Sequence, residues 1–217
     1  MIFLNFKHMV SLVLIMGINW HLLPTSYAGE LTLNILDQND ELVEDAVIML
    51  YPEDGQTVSS ETQYPNVMSQ ENMTFVPHVL PVYVNSKVSF PNNDETRHHV
   101  YSFSKAKVFE LRLYSGKAER FVEFENTGVV VLGCNIHDNM LGYIYVSDTP
   151  LFLKSNQNGL VNFANLAAGN YSMSIWHPRL RGKKDDNKIS FSIGSDEKLD
   201  LSQKLNLKRE RRSRAKY

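Results

Sequence analysis

The sequence predicts an all-β chain built as packed sandwiches, and three observations carry that prediction. Short apolar runs recur along the chain with the two-residue alternation of half-buried strands, as in ELTLNIL, VFELRLY and KISFSIG. The breaks between them, such as DQNDE, PNNDE, SGK and ENTG, consist of residues that favour turns. No stretch of helical length carries apolar residues at the helical period with caps at its ends. With 217 residues, 43% of them hydrophobic and 11% aromatic, the chain can bury a real core, as one large domain or two small ones. A net charge of −2 excludes a globally basic binder of nucleic acid.

Taken in order, residues 1–28 read as a secretory signal peptide: Lys7, then the apolar run MVSLVLIMGINW, then Ser26-Tyr27-Ala28 at the cleavage positions. That run is shorter than the ~20 residues of a membrane-spanning helix. The expected location is therefore the periplasm, an oxidising compartment. ELTLNIL and DAVIMLY follow as two strands joined by a turn, and PEDGQTVSSETQYPN is a polar, breaker-rich loop. From MTFVPHVLPVYV onward come KVSF, VYSF, VFELRLY, RFVEF, VVVLG and YIYV, spaced as in a β-sandwich or barrel. After Pro150 the chain continues with VNF, an alternating YSMSIW, KISFSIG and KLDLSQKLNL, and ends in the basic run KRERRSRAKY. Like-charged runs of this kind are ordinarily solvated, with contact to anionic lipid as the alternative.

Cys134 is the only cysteine, so no internal disulfide is available, and an unpaired thiol outside the cytosol suggests a bridge between chains, a reactive group or a metal ligand. It belongs to GCNIHDNM, where Cys134, His137 and Met140 recur at a spacing of three between the strands VVVLG and YIYV. A tight loop can aim all three side chains at one point. Thiolate and thioether favour copper(I), and imidazole suits both copper states. A second imidazole is offered upstream by His98 or His99 in FPNNDETRHHVYSF. Taken singly, each residue has an ordinary reading, with the thiol as a small buried hydrophobe and the others as loop or surface groups. Zinc also takes Cys and two His, though it rarely takes Met. A Cys–His hydrolase would lack an orienting third group and an oxyanion hole.

VSFPNNDETRHHVYSF, VFELRLYSG and GVVVLGCNIHDNMLGYIYV together resemble the cupredoxin family, the plastocyanin- and amicyanin-like proteins, of the type labelled methylamine-utilisation protein. The resemblance covers residues 70–147 and implies a Greek-key sandwich. In that family a His-Asn-Val segment supplies one ligand and the last loop supplies Cys, His and Met. Carried onto this chain, the implied ligands are His98, Cys134, His137 and Met140, holding one type 1 copper. His99 stands where the family has Asn, which bears on the hydrogen bonds around the cysteine loop. The resemblance also implies that His137 lies near the surface in an apolar patch, with Met140 and Leu141 as neighbours. Leu141 has plain core packing as its alternative.

The flanking segments ELTLNILDQNDELVEDAVIMLYPEDG and NGLVNFANLAAGNYSMSIWHP resemble the two halves of a carboxypeptidase-regulatory-like, or prealbumin-like, sandwich. The expected organisation is signal peptide 1–28, first sandwich part 29–63, cupredoxin 64–148, remaining sandwich part 149–207 and a basic tail 208–217. The cupredoxin is then inserted into, or joined to, the smaller sandwich. The implied function is one-electron transfer between periplasmic proteins, without enzyme activity. A c-type cytochrome or a periplasmic dehydrogenase would be the partner, and nucleic acid would not. The alternative is copper sequestration or delivery. Scattered Met49, Met68, Met73 and Met173 form no methionine tract that would favour it. His78, Trp176 and His177 read as structural residues, with a second metal site or docking face as the alternative for the last two.

Overall fold

The computed structural model describes residues 28–53, 64–116, 120–137, 139–182 and 188–209. Their regular structure is all strand, so the expectation of an all-β chain is met. Apart from Ala28, the expected signal peptide lies outside the described residues, as do loop residues 54–63 and the basic tail from 210 onward.

The strands are β1 (Gly29–Asp37), β2 (Val47–Pro52), β3 (Ser69–Glu71), β4 (Thr74–Val76), β5 (Val79–Tyr83), β6 (Ser86–Ser89), β7 (His98–Ser104) and β8 (Lys107–Tyr114). They continue as β9 (Phe121–Phe124), β10 (Gly128–Gly133), β11 (Leu141–Ser147), β12 (Phe152–Lys154), β13 (Leu160–Leu166), β14 (Gly169–Trp176), β15 (Ile189–Ile193) and β16 (Lys198–Leu205). β3 and β12 are too short to show an alternation in sequence; their neighbours in the sheet define them.

β1 alternates as a one-face strand should: Leu31, Leu33 and Ile35 are buried, while Thr32 and Asn34 are half-buried. It pairs antiparallel with β13 and parallel with β16, in a sheet ordered β13-β1-β16. Facing it is the sheet β12-β2-β14-β15, and Leu31, Leu33, Ile48, Leu50, Phe163 and Ile175 share the core between them. The parallel pairing of β1 with β16 joins the two ends of the described chain in one sheet.

A second sandwich contains the five-stranded sheet β5-β11-β10-β7-β8, with the β3–β4 and β6–β9 ladders as separate two-stranded sheets. Its core includes Leu80, Val82, Phe90, Phe124, Leu132 and Ile144.

β2 explains how the two sandwiches meet. Val47-Ile48-Met49-Leu50 are all fully buried, which for a strand means that both faces are covered. Ile48 and Leu50 enter the first core, whereas Val47 and Met49 join Val79, Tyr145 and Phe152 in a third cluster. β11 does the same from the other side, with Ile144 and Val146 inward and Tyr145 outward. The sheets therefore stack back to back. Trp176, half-buried at the end of β14, packs on Tyr145 and Tyr143 with ring centroids 5.1 and 5.9 Å apart.

Candidate metal centre

β10 and β11 stay paired up to Gly133↔Leu141, which closes residues 134–140 into a hairpin loop at the end of the sheet. Cys134 leaves β10 with its side chain in the second core, 6% exposed. The Met140 amide donates to the His137 carbonyl at 3.0 Å, tightening the loop around His137. β10 also pairs with β7 at Gly133↔Tyr101, so the start of β7 lies beside the loop.

Successive residues of a strand face opposite ways, and His98 and His99 do so here. His98, fully buried, directs Nδ1 toward Cys134 Sγ at 3.9 Å. His137, half-buried, directs its own Nδ1 toward the same sulfur at 4.0 Å. The three ligand atoms lie within 4.8 Å of one another, and the two imidazole centroids are 5.0 Å apart. Met140 belongs to the same buried core cluster as Cys134 and is 2% exposed. It therefore lies in the core and forms no part of a surface patch, whereas Leu141 is 44% exposed and is not core. His99 turns outward, and its Nε2 meets Glu110 Oε1 at 2.8 Å while its buried Nδ1 has no hydrogen-bond partner.

At 3.9 and 4.0 Å the sulfur–nitrogen contacts are at the outer limit for a hydrogen bond involving sulfur. Ligand atoms bound to one metal at about 2.0–2.3 Å lie about 3.5–3.8 Å apart, within a few tenths of an ångström of these separations. The set fits a metal.

The electrostatics prepare His98 for such a role. Its Nε2 lies 2.8 Å from Asp94 Oδ2, and an ionised carboxylate can only accept, so Nε2 carries a proton and Nδ1 is the nitrogen left to face a metal. Burial acts against the Asp94 carboxylate. The Met73 amide, His98 and the Asn72 amide outweigh it and hold the group below the usual carboxylate range. Those amides come from the β3–β4 turn, with the Asn72 and Met73 amides donating at 2.7 and 3.0 Å. Buried Asn92 braces the same loop, donating to the carbonyls of Thr96 and Tyr114 and accepting from the Asp94 amide. In sequence Asp94 stands within PNNDE, a stretch that by composition marks only a turn. An Asp four residues before a candidate ligand was the available signal for its second role.

Neither a protein-family model nor a curated protein matches this chain. Among solved structures, a purple cupredoxin from Nitrosopumilus maritimus is 23% identical, over 37% of this chain and 96% of its own, with a TM-score of 0.33. A copper-containing nitrite reductase from Thermus scotoductus SA-01 is 22% identical, over 46% of this chain and 26% of its own, with a TM-score of 0.37. A reduced Cu(I) form of an amicyanin variant is 16% identical, over 48% of this chain and 100% of its own, with a TM-score of 0.35. Each likeness spans less than half of this chain.

The other histidines stand apart from the centre. His78 is exposed and meets Tyr143 edge-on at 5.3 Å. His177 is buried, and its Nδ1 accepts from the Arg179 amide at 3.1 Å. Among the described residues, no second group of three or more His, Cys, Asp or Glu ligand atoms converges in this way.

Proposed function

We propose that this chain is a type 1 copper protein that passes single electrons between protein partners. The observation that carries the reading is the convergence of two imidazole Nδ1 atoms on one buried thiol sulfur. In the reading, His98, Cys134, His137 and Met140 would hold the metal. Bound copper would supply a one-electron couple between Cu(II) and Cu(I). Cys134 contributes a soft thiolate, and the thioether weighs against zinc. Asp94 keeps the His98 tautomer ready, and the paired strands hold the ligands in place with little rearrangement. Four protein ligands leave no open position for a substrate, which favours a shuttle over an enzyme. Residues 64–148 form the copper domain, inserted into the sandwich of 29–63 and 149–207. The pairing of β1 with β16 supports that division. The periplasm is the proposed location, and a c-type cytochrome or dehydrogenase the proposed partner.

The test is an absorption spectrum of the protein with one equivalent of Cu(II), before and after ascorbate. The reading requires an intense band at ~600 nm that bleaches and returns on reoxidation. A colourless protein with a freely reactive thiol would sink it. Copper that binds but exchanges readily and does not cycle would move the assignment to sequestration or delivery.

Asp94→Ala probes the support of His98. Loss of a carboxylate behind a ligating histidine lowers metal affinity about 10–100-fold. Competition with a copper chelator should show that loss, and unchanged affinity would mean that the loop backbone alone orients the ring.

A further inference from the structure

β7 presents different side chains on its two faces. His98 and Val100 point to Cys134 and the core, while His99, Tyr101 and Phe103 form a ladder on the outer face, with successive ring centroids 5.7 and 5.2 Å apart. Phe103 is 81% exposed, and Val108, opposite it on β8, is 66% exposed. Val131 and Leu141 are 39% and 44% exposed on the neighbouring strands. Tyr101, Phe103, Val131, Gly133 and Leu141 line one groove of about 270 Å³. A Cβ built on Gly133 would lie 2.7 Å from the Tyr101 ring, so that ring rests directly on the backbone of the residue bonded to Cys134. The groove is one residue from the thiol, on the outer face of the sheet rather than at the tip of the His137 loop.

A contiguous apolar surface of this kind marks an interaction site. Three observations indicate what covers it. Farther along β10 and β11 the outer face is already a protein contact, where Val129, Tyr143 and Tyr145 pack against the first sandwich. No charged side chain lines the groove, and the nearest carboxylates have partners within the molecule, Glu110 beside His99 and Arg112 and Glu125 beside Lys107, so the groove offers apolar contact. The edge strand β8 carries Lys107, Glu110 and Arg112, which discourages edge-on pairing with a second copy and leaves a face-on approach.

We propose that this groove docks a folded redox protein with an uncharged, apolar contact face, as a surface separate from the His137 edge. The redox character of the partner rests on the copper reading above. The probe is a small, reduced c-type cytochrome whose haem edge is ringed by apolar side chains. It is titrated into the ¹⁵N-labelled full chain, both metal-free and Cu(I)-loaded. Amide shifts centred on Tyr101, Phe103, Val131 and Gly133 are expected in both forms. Phe103→Lys, and independently Val131→Lys, should weaken binding about tenfold without changing the thermal melt.

A footprint centred on Asn135–Asn139 with neither variant affecting affinity would overturn the proposal, as would no shifts at millimolar cytochrome. Concentration-dependent dimerisation abolished by Phe103→Lys would overturn it too, by giving the groove to a second copy. A chain that takes up no copper would defeat the copper reading instead, because the footprint is read in the metal-free form.

Discussion

Cys134→Ser is expected to abolish the visible absorption of the copper-loaded protein while the metal-free chain stays folded. The band requires charge transfer from a thiolate, and a serine hydroxyl is neither soft nor ionised at neutral pH. The fold should tolerate the change because the two groups are close in size and Cys134 sits at the end of β10, beside the loop. The new hydroxyl can also donate to one of the two Nδ1 atoms that face the sulfur. A stability change of about 1 kcal/mol is expected from such an exchange. The checks are a copper titration followed at ~600 nm and a urea melt of the metal-free variant. A variant that kept the band would move the ligand role away from Cys134. One that failed to fold would make the thiol a structural core residue first.

Acid should destabilise the protein through His177, by about 3 kcal/mol when fully developed. Burial pushes the pKa of His177 down to about 4, with the Arg179 charge adding to the effect and Asp45 and a hydrogen bond to the Glu44 backbone opposing it. The unfolded chain takes up a proton near pH 6.5 that the native state refuses until about pH 4. Stability therefore rises with pH across that window, is complete above about 6.5 and is lost as pH falls toward 4. His177 follows directly on Trp176, which packs against Tyr143 and Tyr145 of the second sandwich, so the loss falls beside the junction between the sandwiches. Thermal melts of metal-free wild type and His177→Gln at pH 7 and pH 4.5 isolate the contribution, since the carboxylates common to both cancel. The variant should lose markedly less stability on acidification. Equal losses would place the acid sensitivity elsewhere.

The all-β class was legible because strand alternation is a local property. Leu31, Leu33 and Ile35 announce a one-faced strand without reference to any partner. The run Val47-Ile48-Met49-Leu50 announces burial on both faces but not what lies on each. That the second face meets β11 of another sandwich depends on a contact between segments about a hundred residues apart.

The same division runs through the candidate centre. Cys134, His137 and Met140 share one short loop, so their proximity follows from chain length alone. His98 lies in another strand, and the pairing of β7 with β10 brings it to the sulfur. Whether His98 or His99 faces the thiol is a matter of pleat phase, which a strand acquires only from its neighbours. The outward turn of His99 to Glu110, the two β3–β4 amides on Asp94 and the seat of Tyr101 on Gly133 are likewise long-range.

By itself, then, the sequence determined strand character and the set of donor atoms available, because both depend on residue type and near-neighbour spacing. The tertiary structure alone decided which donors converge, which carboxylate stands behind His98 and which aromatic face remains open. Those outcomes depend on strand pairing and sheet stacking across distances that no local spacing encodes.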